Sequence, residues 1–336
     1  TVLTHGFTVD AQGHKMSKSQ GNVIAPQKIF KSLGADILRL WVASSDFSSE
    51  MTVSDEILKR TADSYRRMRN TVRYLLSNLD SFEPATDLVA DKDLLALDRW
   101  ILHHTAQLQE QVRAHYEAYE FHQLYQLLHK FCSTELGGLY LDIIKDRVYT
   151  TISDSLPRRS AQTAVYHISQ ALLRWLAPIL SFTAEEAYAQ LPGERSDSVF
   201  LQHWYQALPQ LNSDDAISEQ DWMNIFNVRQ AALKVLEGKR EAGVIGANLN
   251  ATITLFVPTD IEQSLTKLGD ELRFVFITSE ATVANLNKAT ENCDVLALTD
   301  DIEIKVQAEA SSHEKCVRCW HQRPDVGSHA DHPELC

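Results

Sequence analysis

The sequence predicts a multidomain, mainly α-helical protein in which an antiparallel helical bundle precedes a small α+β domain and a cysteine-rich tail. Three observations support this fold class. Apolar stripes with helical spacing fill the first two thirds of the chain, apolar residues alternate after residue 250, and three of the five cysteines cluster near the end. A chain of 336 residues that is 44% hydrophobic and 23% charged can bury two or three separate cores.

The first 53 residues are predicted to combine a strand, a loop and two helices. Residues 1–9 are short and β-rich, as a strand would be. Residues 10–22 are polar and contain two glycines, which favours a mobile loop. Residues 26–42 begin at Pro26 and carry apolar residues at helical spacing, so we expect two short helices separated near Gly34.

Long helices are predicted from Ser54, which is a suitable N-cap because its hydroxyl can accept from the first free backbone N–H groups. Each helix carries one apolar stripe, and helices of this kind pack as an antiparallel bundle. We expect this bundle to end near Pro209. The further helices are predicted at residues 97–112, 121–143, 161–175 and, as a short fifth helix, after Thr183.

A polar linker over residues 212–221 separates the bundle from a region with a different pattern of apolar residues. One helix is predicted there from about Trp222 to Arg240. Alternating apolar residues predict half-buried strands, so we expect a small α+β domain. The strand candidates are residues 251–257, 272–278, 293–298 and 302–308.

The tail carries a metal-ligand pattern, Cys316-x2-Cys319-x16-Cys336. Zinc prefers thiolate ligands in tetrahedral sites, and two cysteine pairs at this spacing are typical of structural zinc. Cys336 has the position of a third ligand, and the fourth would lie three residues further on. A second arrangement within the chain uses His332 as the fourth ligand. The odd cysteine count favours reduced thiols, which fits the cytoplasm.

The charge and hydropathy pattern restrict the possible function. A net charge of −13 argues against general affinity for nucleic acid, so only local basic patches could serve that purpose. We find neither a signal peptide nor the roughly 18 consecutive apolar residues that a membrane helix requires, so no membrane association is expected. The chain begins at Thr1 without an initiator Met, which predicts that it is a fragment.

One pentapeptide carries the sharpest functional signal: Lys15, Met16, Ser17, Lys18 and Ser19. On composition alone it would be a lysine-rich surface loop. The motif and its flanks resemble the KMSKS loop of class I aminoacyl-tRNA synthetases. The resemblance implies that the whole motif binds ATP, that Lys18 is the principal catalytic contact to the phosphates and that Lys15 assists. Amino-acid activation expels pyrophosphate, and positioned lysines stabilise the charge that builds on the phosphates.

Further segments resemble the bacterial isoleucyl-tRNA synthetases in particular. They are residues 39–46, residues 51–54 and residues 138–147, together with the cysteine-rich tail. Residues 178–186 resemble a wider group of class I synthetases that act on hydrophobic amino acids. The tail resembles the terminal zinc module of these enzymes, which favours a truncated four-cysteine site over the His332 alternative. The valyl enzymes resemble the bundle, but they usually end in a coiled coil, and the tail lacks sustained heptads.

The resemblance implies four parts with distinct roles. Residues 1–53 would be the end of a Rossmann-like catalytic domain with the KMSKS loop and a stem-contact region. Residues 54–210 would be the class I anticodon-binding bundle, residues 211–312 a small α+β domain, and residues 313–336 a truncated zinc-ribbon-like module. The whole enzyme would use ATP and Mg²⁺ to activate isoleucine and transfer it to tRNA-Ile. We expect a cytoplasmic monomer, and the fragment alone to be inactive because half of the catalytic site is missing.

Contacts with tRNA are predicted at two places. Lys59, Arg66 and Arg73 are spaced by seven and share one helix face, which could follow phosphates or simply be a solvated surface. Arg318 and Trp320 could contact or stack on a base, although Trp320 would equally suit a small core. A noncatalytic tRNA-binding protein remains an alternative function, but such a protein has no use for a KMSKS loop.

Overall fold

A computed structural model describes residues 2–336, and two compact units make up this part of the chain. The first unit comprises residues 2–142 and 153–210. The second comprises residues 143–152 and 211–336. No helix among the described residues is both long and apolar enough to cross a lipid bilayer.

The first unit opens with a small parallel sheet that has one strand from each end of the 53-residue segment. Strand β1 (Thr8–Val9) pairs with β2 (Met51–Thr52). Helices α1 (Pro26–Ser32) and α2 (Ala35–Ser44) lie between them in sequence, separated at Gly34 as predicted. A core cluster stabilises this arrangement and consists of Ile29, Trp41, Met51, Val53 and Leu58. The strand predicted over residues 1–9 is confirmed only at Thr8–Val9, which pair with Met51–Thr52. Gly6 and Phe7 extend this contact by single backbone hydrogen bonds to Phe47 and Met51. Position 1 lies outside the described residues.

The remainder of the first unit is helical, as its apolar stripes predict. Ser54 caps the first long helix by accepting a hydrogen bond from the backbone N–H of Ile57. The helices are α3 (Asp55–Ser77), α4 (Pro84–Asp87), α5 (Ala96–Glu117), α6 (Phe121–Lys130), α8 (Leu156–Leu176) and α9 (Ser181–Tyr188). Helix α7 (Leu141–Thr150) starts in this unit, and its residues from position 143 onward belong to the second unit. Helix α8 is the most buried, with Trp175 fully enclosed.

A π-helical stretch, Phe131–Tyr140, joins α6 to α7. The sequence predicts one continuous helix here, because its apolar period does not distinguish the two hydrogen-bonding patterns. Two side chains bond to backbone carbonyls in this region. Thr71 of α3 donates to the Cys132 carbonyl at 3.0 Å, and Ser133 donates to the His129 carbonyl at 2.6 Å. The wider turn therefore has polar partners both within its own helix and from α3.

The second unit packs helices against a four-stranded sheet of order β4-β3-β6-β5. Strands β3 and β4 are parallel, and the other two pairs are antiparallel. The sequence correctly predicts the strands near residues 251–257, 293–298 and 302–308. The elements are α10 (Glu219–Glu241), β3 (Ala251–Val257), α11 (Thr259–Thr266), α12 (Glu271–Phe276), β4 (Glu280–Asn285), β5 (Asp294–Ala297) and β6 (Glu303–Ala310).

The strand predicted over residues 272–278 is wrong. Leu272, Val275 and Phe276 have the i, i+3, i+4 spacing of a helix face, and all three are buried in α12. Ile277, at a φ of 55°, then ends the helix in the left-handed conformation. The chain forms strand β4 immediately afterwards, at a position the sequence pattern did not reveal.

Candidate functional site

The KMSKS segment forms the return arm of a short hairpin that begins at β1. The backbone N–H of Asp10 donates to the His14 carbonyl at 2.9 Å, and Lys15 bridges back to Val9. Gly13 occupies the turn at a φ of 80°, a conformation that glycine adopts without a steric penalty. The hairpin therefore fixes where the pentapeptide starts.

Met16 anchors the pentapeptide, whereas its lysines face solvent. Met16 is partly buried against the core cluster defined above. Lys15 and Lys18 are exposed, and the Lys15 ammonium lies 4.3 Å from the centre of the Phe7 ring. The hydroxyls of Ser17 and Ser19 lie 3.1 Å apart. The loop thus presents cationic side chains to the outside while an apolar side chain holds its middle.

A groove of about 740 Å³ lies between the hairpin and helix α3, and both apolar and charged side chains line it. Lys28, Lys59 and Arg66 supply positive charge to its lining. Arg66 also forms an ion pair with Asp63 at 2.7 Å, so part of its charge is neutralised. Lys59 and Arg73 are exposed on the same helix. The predicted basic face therefore exists on the surface, although its middle member carries an acidic partner.

The three tail cysteines converge. The sulfur atoms of Cys316, Cys319 and Cys336 all lie within 4.8 Å of one another, and those of Cys319 and Cys336 are 3.4 Å apart. His332, the predicted alternative ligand, is exposed and does not belong to this cluster in the described part of the chain. The cysteines at positions 132 and 293 also lie outside it.

The surroundings of Cys316 suit a metal-binding thiolate. Burial by itself would raise its pKa, but hydrogen bonds from the backbone N–H groups of Cys319, Cys336 and Arg318 outweigh burial and lower the pKa to about 7. Burial raises the pKa of Cys319 to about 12 and also raises that of Cys336. A cluster of soft donors with one thiol already acidified fits Zn²⁺, whose charge would deprotonate the other two.

The tail packs on residues 143–152 through contacts that the sequence did not predict. Arg318 donates from Nε to the Thr150 carbonyl at 2.8 Å. His321 is buried, and its Nε2 lies 3.4 Å from a carboxylate oxygen of Asp146. On the other side of the ring, Arg273 Nη1 lies 3.3 Å from Nδ1. The sequence indicates Arg318 as a candidate base contact, whereas in the structure its guanidinium bonds to the Thr150 carbonyl.

Trp320 displays a large aromatic side chain on the surface of the tail. Its side chain is 59% exposed, and its backbone adopts a φ of 66°. The Lys315 ammonium lies 5.1 Å from the centre of the indole. A left-handed backbone is unfavourable for a bulky residue, so the conformation that exposes the indole lowers the stability of the tail. This position does not suit the alternative prediction that Trp320 is a core residue.

Three families match successive parts of the chain. Residues 1–54 match the tRNA synthetases class I (I, L, M and V), residues 98–255 match the anticodon-binding domain of tRNA ligase, and residues 314–336 match the zinc finger found in FPG and IleRS. The chain belongs to the class I tRNA synthetases. The family predicted from the KMSKS motif is therefore confirmed, and the tail is of the zinc-finger type.

Within this class, isoleucine–tRNA ligases are among the curated proteins similar to this chain. That of Alkalilimnicola ehrlichii is 58% identical over 335 residues, covering 100% of this chain and 36% of its own length. That of Nitrosococcus oceani is 58% identical over 336 residues, covering 100% of this chain and 35% of its own length. The chain thus spans about a third of these relatives and corresponds to a C-terminal part of them. A solved structure of Mycobacterium tuberculosis methionyl-tRNA synthetase with methionyl-adenylate aligns at 21% identity and a TM-score of 0.45, over 55% of this chain and 36% of that one.

Proposed function

We propose that this chain supplies the ATP-handling loop and the tRNA-binding regions of an isoleucine–tRNA ligase. The observation that carries the proposal is the hairpin that presents Lys15 and Lys18 to solvent, in a chain that is 58% identical to such ligases over its whole length. The ligase would join isoleucine to the α-phosphate of ATP and then transfer it to the terminal adenosine of tRNA-Ile.

The role of the loop follows from the charge of the reaction. A carboxylate oxygen of isoleucine attacks the α-phosphorus, and the bond to the departing pyrophosphate breaks, so negative charge grows on the leaving group. Lys18, assisted by Lys15, would stabilise that charge, while Met16, Ser17 and Ser19 shape the loop around ATP. Mg²⁺ would accompany the phosphates as it does in other nucleotide-dependent transfers. Gly13 and Gly21, both at positive φ, would let the loop close and reopen.

The helical bundle and the tail would bind the anticodon side of the tRNA. The exposed cations of α3 suit phosphate contacts, and these position a nucleic acid without reading its sequence. Trp320 suits base recognition, because an exposed indole can stack on an unpaired base and Lys315 adds charge beside it. The acidic total charge would limit binding elsewhere on the surface.

Zinc would be held by Cys316, Cys319 and Cys336, with a fourth ligand outside this set. A metal ion would give the tail the core that its few apolar residues cannot form. It would also fix the backbone that displays Trp320 and Arg318. We expect the ligase to act as a monomer in the cytoplasm.

The deciding experiment measures isoleucine-dependent exchange of pyrophosphate into ATP, followed by charging of tRNA-Ile, with the longer protein that contains this chain. We expect both activities in that protein and neither in the present chain alone. Charging with valine and not isoleucine would favour the valyl alternative. Binding of tRNA without any pyrophosphate exchange would favour a noncatalytic tRNA-binding protein.

A further inference from the structure

The side chain of Asn22 spans the base of the KMSKS loop. Its Oδ1 accepts a hydrogen bond from the backbone N–H of Ser17 at 2.9 Å. Its Nδ2 donates to a carboxylate oxygen of Asp10 at 2.8 Å and lies 3.4 Å from the Lys15 carbonyl. One amide therefore joins the loop to the hairpin that precedes it.

Asp10 ties the same amide to the tip of the hairpin. Its Oδ1 accepts from the backbone N–H groups of Gln12 at 3.0 Å and His14 at 2.9 Å, while Oδ2 receives the bond from Asn22. The hydrogen bond from Asn22 is the main cause that lowers the pKa of Asp10, so the carboxylate stays ionised and acts only as an acceptor. The pair is directional, since Asp10 accepts and Asn22 donates.

These contacts divide the loop into a fixed base and a free tip. The segment Lys15–Ser17 is held on one side by the Asn22 amide and on the other by Met16 in the core cluster. Lys18 and Ser19 follow the held segment and are exposed, within a turn that ends at Gly21. The direction in which Lys18 leaves the base is thus set by the backbone at Ser17.

We propose that Asn22 and Asp10 are positioning residues, which hold the base of the loop so that Lys18 is directed toward the ATP phosphates before the tip closes. This inference rests on the proposed function. Neither residue needs to touch ATP, because both act through the backbone of Lys15 and Ser17. An oriented loop has less conformational entropy to lose when it closes, so more of the binding free energy remains for the transition state.

The test exchanges the two side chains. Asn22→Asp places two carboxylates against each other, and Asp10→Asn places two amide donors there, so each change opens the pair. The double variant Asp10→Asn/Asn22→Asp restores one donor and one acceptor and keeps an acceptor for the Ser17 N–H. Asn287→Asp adds the same charge at an exposed position in the other unit and serves as the matched control.

In the present chain, we would follow tryptic cleavage after Lys15 and Lys18 and hydrogen exchange of the Ser17 amide. Each single variant should raise both rates about three- to tenfold, the effect of losing one net hydrogen bond. The double variant should recover most of the protection, since only the weak contact to the Lys15 carbonyl is lost, and Asn287→Asp should match the unsubstituted chain. Unchanged rates in the single variants, or a double variant as labile as Asn22→Asp, would overturn the proposal.

In the longer ligase, the single variants should lower kcat for pyrophosphate exchange about tenfold and leave the KM for isoleucine unchanged, with recovery in the double variant. An equal kcat in all forms would also overturn the positioning role. If the unsubstituted ligase shows no exchange at all, the proposed function fails, whereas the cleavage and hydrogen-exchange results still decide whether the pair holds the loop.

Discussion

Arg318 donates a hydrogen bond from its Nε to the backbone carbonyl of Thr150 at 2.8 Å. Thr150 is the last residue of α7, where carbonyl groups lack partners within the helix and the helix dipole favours a positive charge. Arg318 stands between two of the three clustered cysteines. The cysteine-rich tail therefore supplies a cation that caps a helix located some 170 residues earlier in the sequence.

We first predict that zinc binding and the end of α7 are coupled. A chelator should raise hydrogen exchange over residues 147–150 about three- to tenfold, because the tail would release its cap. Arg318→Ala should cause most of this increase without a chelator, and the chelator should then add little. Lys288→Ala, an exposed change in the same unit, is the control. Exchange that responds to the chelator equally in both variants would contradict the coupling.

The second prediction concerns the metal ligands. Replacing Cys316, Cys319 or Cys336 with serine should abolish the thiolate-to-metal absorption seen when cobalt(II) is used in place of zinc, because each change removes a soft donor. Cys293→Ser should leave the spectrum unchanged, since that thiol lies outside the cluster. A spectrum that survives loss of Cys336 but disappears in His332→Ala would instead support the alternative ligand set.

The third prediction distinguishes the effect of the Trp320 indole on tRNA binding from the effect of its left-handed backbone on stability. Trp320→Asn and Trp320→Val both remove the indole, so each should weaken tRNA binding by about 1–3 kcal/mol, as expected for loss of one stacked base. Asparagine tolerates the left-handed backbone at this position, whereas a β-branched residue does not. Only the valine variant should therefore also lower the thermal stability of the tail. Equal tRNA affinity in all three forms would exclude stacking.

Sequence patterns predicted the features that depend on local spacing. Apolar spacing shows which side chains share one face of a helix or strand, as in α3, α5, α8, β3 and β6. Cysteine spacing shows which side chains can share a metal. They could not predict α12, where Leu272, Val275 and Phe276 fit a strand by composition and a helix by burial. Composition favoured the strand, and tertiary packing decided otherwise.

Long-range polar contacts were likewise beyond the reach of the sequence. The Arg318–Thr150 bond joins residues separated by 168 positions, and no local pattern marks either partner. Asn22 and Asp10 are only 12 residues apart, but both looked like ordinary loop residues until the hairpin geometry brought them together. The sequence thus located the pentapeptide correctly, whereas the contacts that support it required coordinates.

The fourth prediction tests the charge on the loop. In the longer ligase, Lys18→Ala should lower kcat for pyrophosphate exchange about 100-fold or more, because it removes a cation that acts on charge developing in the transition state. Lys15→Ala should have a smaller effect, since Lys15 assists. Lys31→Ala, at the exposed end of α1, should have none. A pure rise in the KM for ATP in Lys18→Ala would instead assign the lysine to ground-state binding.

The fifth prediction is a pH dependence of stability that comes from His167. This ring lies in α8, and its Nδ1 forms a hydrogen bond of 2.6 Å with the Tyr205 hydroxyl. Burial lowers the pKa of His167 to about 4, against 6.5 for an unperturbed histidine.

The sign of this pH dependence follows from whether the folded or the unfolded chain binds the proton more readily. Between pH 6.5 and 4 the unfolded chain is protonated at this position and the folded chain is not, so acid favours unfolding. The stabilising contribution of the neutral ring is complete above pH 6.5 and is lost as the pH falls to about 4, and it amounts to about 3 kcal/mol.

His167→Gln keeps a hydrogen-bonding side chain for Tyr205 but cannot titrate. Urea unfolding of this variant, compared with the unsubstituted chain, should show a flatter decline in the free energy of unfolding between pH 6.5 and 4. His329→Gln, an exposed change, should leave the slope as it is. Parallel slopes for His167→Gln and the unsubstituted chain would mean that other groups carry the acid sensitivity, and that the buried ring is protonated in the folded state as readily as in the unfolded one.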